Sequence, residues 1–97
     1  MEAIQIATFI VKEGKMEEAI EALKQIVPKV RETDPGCLQY AAHTVKGRKN
    51  KNTIIFYEKY KDEDAVKEHN NNVGTTLAKL IPLCEPGVDL KTCYEII

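Results

Sequence analysis

Apolar residues dominate Ala3 to Val11 (AIQIATFIV), a β-rich run closed by the turn Lys12-Glu13-Gly14-Lys15, so the pattern predicts a first strand there. The period then changes. Met16, Ala19, Ile20, Leu23, Ile26, Val27 and Val30 recur at the spacing of one helical face, with Glu17, Glu18, Glu21, Lys24 and Lys29 between them. This predicts a helix from Met16 to Thr33. Pro28 falls inside it; a proline there removes a backbone donor and crowds the preceding turn, so a kink or break is expected. Asp34-Pro35-Gly36 ends the segment, because Pro35 holds Asp34 extended and Gly36 can turn the chain.

Cys37 to Val45 (CLQYAAHTV) reads as a second strand, Lys46 to Asn52 as a polar, basic hairpin loop, and Thr53 to Tyr60 (TIIFYEKY) as a third strand rich in β-branched and aromatic residues. Asp62 suits the N-cap of a second helix, with Glu63 and Asp64 in its first turn, where the helix dipole favours negative charge. That helix is expected to end near Asn70, since Asn70-Asn71-Asn72 suits a C-terminus. Thr75 or Thr76 would cap a short third helix carrying Leu77, Leu80 and Ile81, stopped by Pro82. After the turn Glu85-Pro86-Gly87, Val88 to Ile96 alternates as a last strand. The order β-α-β-β-α-(α)-β is the split βαβ, ferredoxin-like arrangement: an α+β fold with one antiparallel sheet and helices on one face. Residues 1–97 are expected to form one domain.

Helices can cover only one face of such a sheet, yet both faces of strand one are apolar. Ile4, Ile6 and Ile10 lie on one side, and Ala3, Ala7, Phe9 and Val11 on the other. Strand three repeats this, with Ile54 and Phe56 opposed by Ile55 and Tyr57. A sheet face left apolar needs a cover, and a homodimer packed through it is expected.

Composition narrows the classes of partner. At 43% hydrophobic and 30% charged, the chain is ordinary for a globular protein, and a net charge of −1 argues against nucleic acid or anionic membrane as partner. No apolar run is long enough to span a bilayer, and Met1-Glu2-Ala3-Ile4-Gln5 lacks the basic and apolar regions of a signal peptide. Cys37, Cys84 and Cys93 are odd in number and form no CxxC, which fits free thiols in a reducing, cytoplasmic setting. Lys46, Arg48, Lys49 and Lys51 form a basic cluster without interleaved aromatics and read as a solvated hairpin tip. His43 and the cysteines match no metal-ligand spacing, and Cys37 reads as a small buried residue.

Chemistry concentrates between Phe56 and Asn70, where a strand ending in aromatics and a carboxylate leads through a turn into a helix carrying His69. An imidazole titrating near neutrality can act as a general base, or simply pack as a half-exposed helix residue. Glu58 is either an inward carboxyl whose pKa burial raises, orienting His69 or serving as a second acid–base group, or an exposed edge carboxylate. Tyr40, Tyr57, Tyr60 and Tyr94 are candidate walls for a flat aromatic ligand, or ordinary packing residues.

Three stretches together resemble the antibiotic biosynthesis monooxygenase family of small dimeric α/β barrels, in its quinol monooxygenase-like branch. They are Ile26-Val27-Pro28 with Val30 leading to Pro35-Gly36-Cys37-Leu38-Gln39-Tyr40, then Tyr57-Glu58-Lys59-Tyr60, then Ala65-Val66 followed by His69. The resemblance implies oxidation of a quinol or polyphenol by O₂ without flavin or metal, after deprotonation in a pocket. Catalytic roles would fall to His69 as base and Glu58 as its orienter, with the tyrosines as pocket walls. The chain departs from the family pattern in carrying Tyr60 where tryptophan is common and Gly74 where a second histidine or a phenylalanine is common. It has no tryptophan, and Lys79 stands where a haem-degrading branch has its histidine, which argues against haem chemistry. The same pocket residues also fit an isomerase or proton-transfer enzyme acting on a small sugar-like signal, or a non-catalytic dimeric ligand binder.

Overall fold

The structure is a computed structural model that describes residues Met1–Ile97. Its sheet runs in the order β2-β3-β1-β4, with β1 at Ala3–Ile10, β2 at Cys37–Thr44, β3 at Thr53–Tyr60 and β4 at Asp89–Cys93. Every neighbouring pair is antiparallel, which gives the ferredoxin-like α+β fold. Helix α1 (Met16–Thr33) lies against β2, and α2 (Glu63–Thr76) lies against β1 and β3 on the same side.

The strand period decides what each face carries. Ala3, Gln5 and Ala7 of β1 and Ile54, Phe56, Glu58 and Tyr60 of β3 point under the helices and are buried. Ile4, Ile6, Ile55 and Tyr57 face the other way and are half-buried, and no element of the chain lies over them. Helix α1 closes the core with Ala19, Leu23, Ile26 and Val30, a stripe at helical spacing, against Tyr40, Phe56 and Ile54.

Several sequence expectations are corrected. Pro28 neither ends nor breaks α1, which runs unbroken through it. It is exposed, as is Lys24, so the Lys24 carbonyl that loses its partner can turn to water. The three asparagines do not end α2 at Asn70; the helix continues to Thr76, and no separate helix starts at Thr75 or Thr76. Tertiary partners override the turn preference there. Asn70 pairs with Gln5 on β1, and Val73 and Leu77 extend the inward stripe; Asn72 Nδ2 bonds within the helix to the Glu68 carbonyl at 3.0 Å. Asp62 does cap α2, its Oδ1 accepting from the Ala65 N–H at 2.9 Å. Ile81–Leu83 is a 3₁₀ turn, held to the end of β1 by the Lys12 N–H on the Leu83 carbonyl at 2.8 Å and the Val11–Cys84 bridge. The last strand is shorter than its alternation suggested, because its pairing with β1 runs only from Asp89 to Cys93.

Candidate functional site

One row of residues crosses the sheet beneath α2. Glu58 on β3 is the register partner of both Gln5 on β1 and Tyr40 on β2, so the three side chains stand side by side on the helix face. Tyr60, two residues beyond Glu58, shares that face. The inward side of α2 brings Ala65, Val66 and His69 over the row. His69 sits between two tyrosine rings, 5.4 Å from Tyr40 and 5.3 Å from Tyr60 between centroids.

Three contacts converge on a single carboxyl oxygen, Glu58 Oε1. The Tyr60 hydroxyl donates to it at 2.5 Å, Gln5 Nε2 donates at 3.1 Å, and His69 Nε2 lies 3.6 Å away. Gln5 is itself locked by a reciprocal amide pair with Asn70, at 3.0 and 3.1 Å. Burial pushes the Glu58 carboxyl above the ordinary carboxylate range; the Tyr60 hydrogen bond, the His69 charge and the Gln5 hydrogen bond oppose the rise, and the Asp34 charge adds to it. With Oε1 taken by two donors, a proton on neutral Glu58 belongs on Oε2. The Tyr40 and Tyr60 phenols are also pushed up, first by burial and then by the neighbouring Glu58 charge.

His69 faces a second carboxylate on its other side: its Nδ1 is 3.2 Å from Asp34 Oδ2. Asp34, not Glu58, is therefore the carboxylate at hydrogen-bonding distance from the imidazole.

A cavity of about 580 Å³ opens onto this cluster. Glu58, His69 and Tyr40 form its polar end, while Phe9, Val73 and Leu77 make part of its apolar wall. Its mouth carries Ile81, Val88 and Leu90, each 46% exposed. The Tyr40 hydroxyl is buried and has no hydrogen-bond partner. An orphaned buried hydroxyl costs roughly 1–3 kcal/mol, so a ligand oxygen that accepted from it would recover that energy.

Of the residues expected from sequence, the structure brings together His69, Glu58, Tyr40 and Tyr60, but Tyr60 stands behind Glu58 and His69 and does not line the cavity, and neither Tyr57 nor Tyr94 reaches it. Tyr57 is on the opposite face of the sheet, paired in register with Ile6 and Ala41. Tyr94 lies past the end of β4, exposed, and its hydroxyl donates to Glu63. Cys37 is half-buried rather than buried, and its thiol is pushed up to about 11 by burial and the Asp34 charge, which keeps it a poor nucleophile. His43 is exposed, its Nδ1 3.1 Å from the Ile55 carbonyl. All three cysteines are free, and no three His, Cys, Asp or Glu side chains converge to hold a metal ion. No helix is long and apolar enough to cross a membrane.

Gln5, Asn70 and Asp34 were not singled out by sequence reasoning. Gln5 did carry a signal, as the polar residue in phase with Ala3 and Ala7 on a buried strand face. Asn70 and Asp34 carried none beyond their apparent roles in ending helices.

Comparison with known proteins agrees with the fold. Residues 3–75 match the family model described as antibiotic biosynthesis monooxygenase. A Caulobacter crescentus structure that bears the same family description superposes with a TM-score of 0.82 at 20% identity, covering 99% of this chain and 91% of its own. A Shewanella oneidensis protein superposes with a TM-score of 0.76 at 27% identity, covering 97% and 90%. A Pseudomonas aeruginosa protein does so with a TM-score of 0.78 at 23% identity, covering 99% and 95%. No curated protein matches the chain.

Proposed function

The chain belongs to the antibiotic biosynthesis monooxygenase family, and from that premise we propose that it oxidises a small quinol or polyphenol with O₂ and needs no cofactor. The observation that carries this reading is the polar end of the cavity, where an imidazole, a buried carboxyl and an unpartnered phenol hydroxyl meet beside an apolar wall. A flat substrate with hydroxyl groups at one end matches that division.

In this reading His69 Nε2 is the general base toward one substrate hydroxyl. Glu58, whose neutral form burial favours, would donate from Oε2 to a second substrate oxygen, and Tyr40 donates its free hydroxyl to the same end. The deprotonated quinol is electron-rich and passes electrons to O₂ directly. A hydroquinone and O₂ give a hydroxyquinone and water: the substrate loses four electrons, one oxygen atom forms the new C–O bond, and the other leaves as water. The proton taken by His69 returns to the reduced oxygen, so the base is regenerated.

The working unit in this reading is a homodimer packed through the open sheet face. Support comes from Ile4, Ile6, Ile55 and Tyr57, which form an apolar patch with no cover from their own chain.

O₂ uptake by the purified protein, with no added metal or flavin, over a panel of hydroquinones and catechols tests the chemistry. Uptake above a protein-free control is expected, falling by about 10²- to 10⁴-fold in His69→Ala. Uptake equal to the control across the panel would overturn it.

A further inference from the structure

We infer that Asp34 is a positioning residue that fixes the tautomer of His69 and balances the charge the ring acquires, an inference that rests on the base role just assigned to His69. Its carboxylate lies 3.2 Å from Nδ1, and a carboxylate can only accept there, so Nδ1 carries the proton of the neutral ring. The lone pair is then on Nε2, which faces Glu58 and the apolar cavity. The opposite tautomer would set the Nδ1 lone pair against the carboxylate and leave no base in the cavity.

His69 is a partition between two spaces. It lines the apolar cavity on one side and, with Asp34, a polar groove of about 480 Å³ between α1 and α2 on the other. The His69 side chain is only 3% exposed, while Asp34 is 23% exposed through that groove. Lys29 of α1 and Glu68 of α2 line the groove, as does Lys79 beyond α2; Glu58 and Tyr60 of β3 and Tyr40 of β2 face the ring from the sheet. The two acidic side chains beside the ring thus sit in opposite settings, Asp34 wetted and Glu58 dry. When a substrate O–H breaks and Nε2–H forms, the ring becomes imidazolium, and Asp34 is the solvated counter-charge already in contact with it.

The backbone around Asp34 is built to hold this contact. Asp34 is the C-cap of α1; its N–H donates to the Val30 carbonyl at 3.0 Å and its carbonyl accepts from Cys37 N–H at 3.1 Å. Gly36, two residues on, packs so tightly on α2 that a Cβ there would lie 2.6 Å from Ala65 Cβ. Its carbonyl also accepts from the Lys61 N–H at 3.0 Å. Ala65 is one helical turn before His69 on the same face, so this contact sets the distance from Asp34 to the ring.

Long-range proton–nitrogen correlation on ¹⁵N-labelled protein reads the tautomer without any substrate. Wild-type His69 is expected to be protonated at Nδ1 alone. Asp34→Ala is expected to mix the two tautomers. Asp34→Asn, whose amide nitrogen can donate to Nδ1, is expected to release the Nδ1–H tautomer as Asp34→Ala does, and to lower any base-dependent turnover by up to about 10⁴-fold. His43, on the far face of the sheet, serves as the unchanged control, and circular dichroism reports folding. A wild-type His69 protonated at Nε2, or a pattern unaltered in folded Asp34→Ala, would overturn the inference. A tautomer shift in a protein that shows no O₂ uptake would leave Asp34 in place and remove only the oxygenase reading.

Discussion

At the scale of single residues, the centre of the site is a carboxyl that burial favours in its neutral form. Glu58 in the unfolded chain ionises in the ordinary carboxylate range; in the fold its value is raised, chiefly by burial. Between those two values the native state binds more protons than the unfolded state, so stability falls as pH rises through the window. Below it the contribution is fully present; above it the contribution is lost. Glu58→Gln cannot titrate. The unfolding free energy of wild type minus that of Glu58→Gln is therefore expected to decrease as pH rises from the ordinary carboxylate range, by at most about 1.4 kcal/mol per pH unit. Paired urea titrations across pH check this. A difference that grows with pH would mean that Glu58 is held as the carboxylate, and the donor role would fall. The sequence made His69, Glu58, Tyr40 and Tyr60 legible because strand and helix periods fix which way neighbours point. It marked Gln5 only as a polar residue on a buried face, and it hid Asn70, Asp34 and the partners of all three, because those contacts close loops of 53, 65 and 35 residues that no local pattern encodes.

At the scale of elements, the site depends on how closely the turn after α1 rides on α2. That approach is set by one missing methyl group. Gly36→Ala would place a Cβ 2.6 Å from Ala65 Cβ, so one backbone must shift. A loss of about 1–3 kcal/mol is expected, in the range of overpacked cores. Ala65→Gly alone should cost up to about 1 kcal/mol through helix propensity. Because the second change removes the clashing atom, the double variant should be more stable than the sum of the two losses implies. Denaturant unfolding of the four proteins measures the coupling, and strict additivity would show that the turn absorbs a methyl group freely. The bounds of α1 and β3 were legible from period and turn chemistry. The length of α2 was not, since Asn70-Asn71-Asn72 carries a local preference to stop that the Gln5 pair and the inward Val73 and Leu77 override. Pro28 misled in the same direction, because the cost of a mid-helix proline depends on whether the freed carbonyl reaches water, which only the packing decides.

At the scale of the whole molecule, one layer of helices leaves half of the sheet's apolar surface without a cover. The sequence already held this conflict in β1, where Ile4, Ile6 and Ile10 oppose Ala3, Ala7, Phe9 and Val11, and the fold does not resolve it within one chain. Ile6 pairs with Tyr57, which pairs in turn with Ala41, so an apolar row crosses the centre of the open face. Lys59 and Lys91 flank that row, giving the patch the polar rim of an interface. Beyond β4, Tyr94, Ile96 and Ile97 also stand in solvent; sequence alternation alone places Tyr94 and Ile96 in a longer strand. A second copy seated on the open face would cover the central row twice over, since a two-fold contact presents the same patch from both sides. Sedimentation at micromolar concentration should therefore give the mass of two chains. Ile6→Asp places a charge at the middle of the row and should yield single chains that keep the fold, because Ile6 points away from the helix-side core. A wild-type protein sedimenting as one chain would leave the patch bare and refute the dimer. A dimer unmoved by Ile6→Asp would place the contact elsewhere on the molecule.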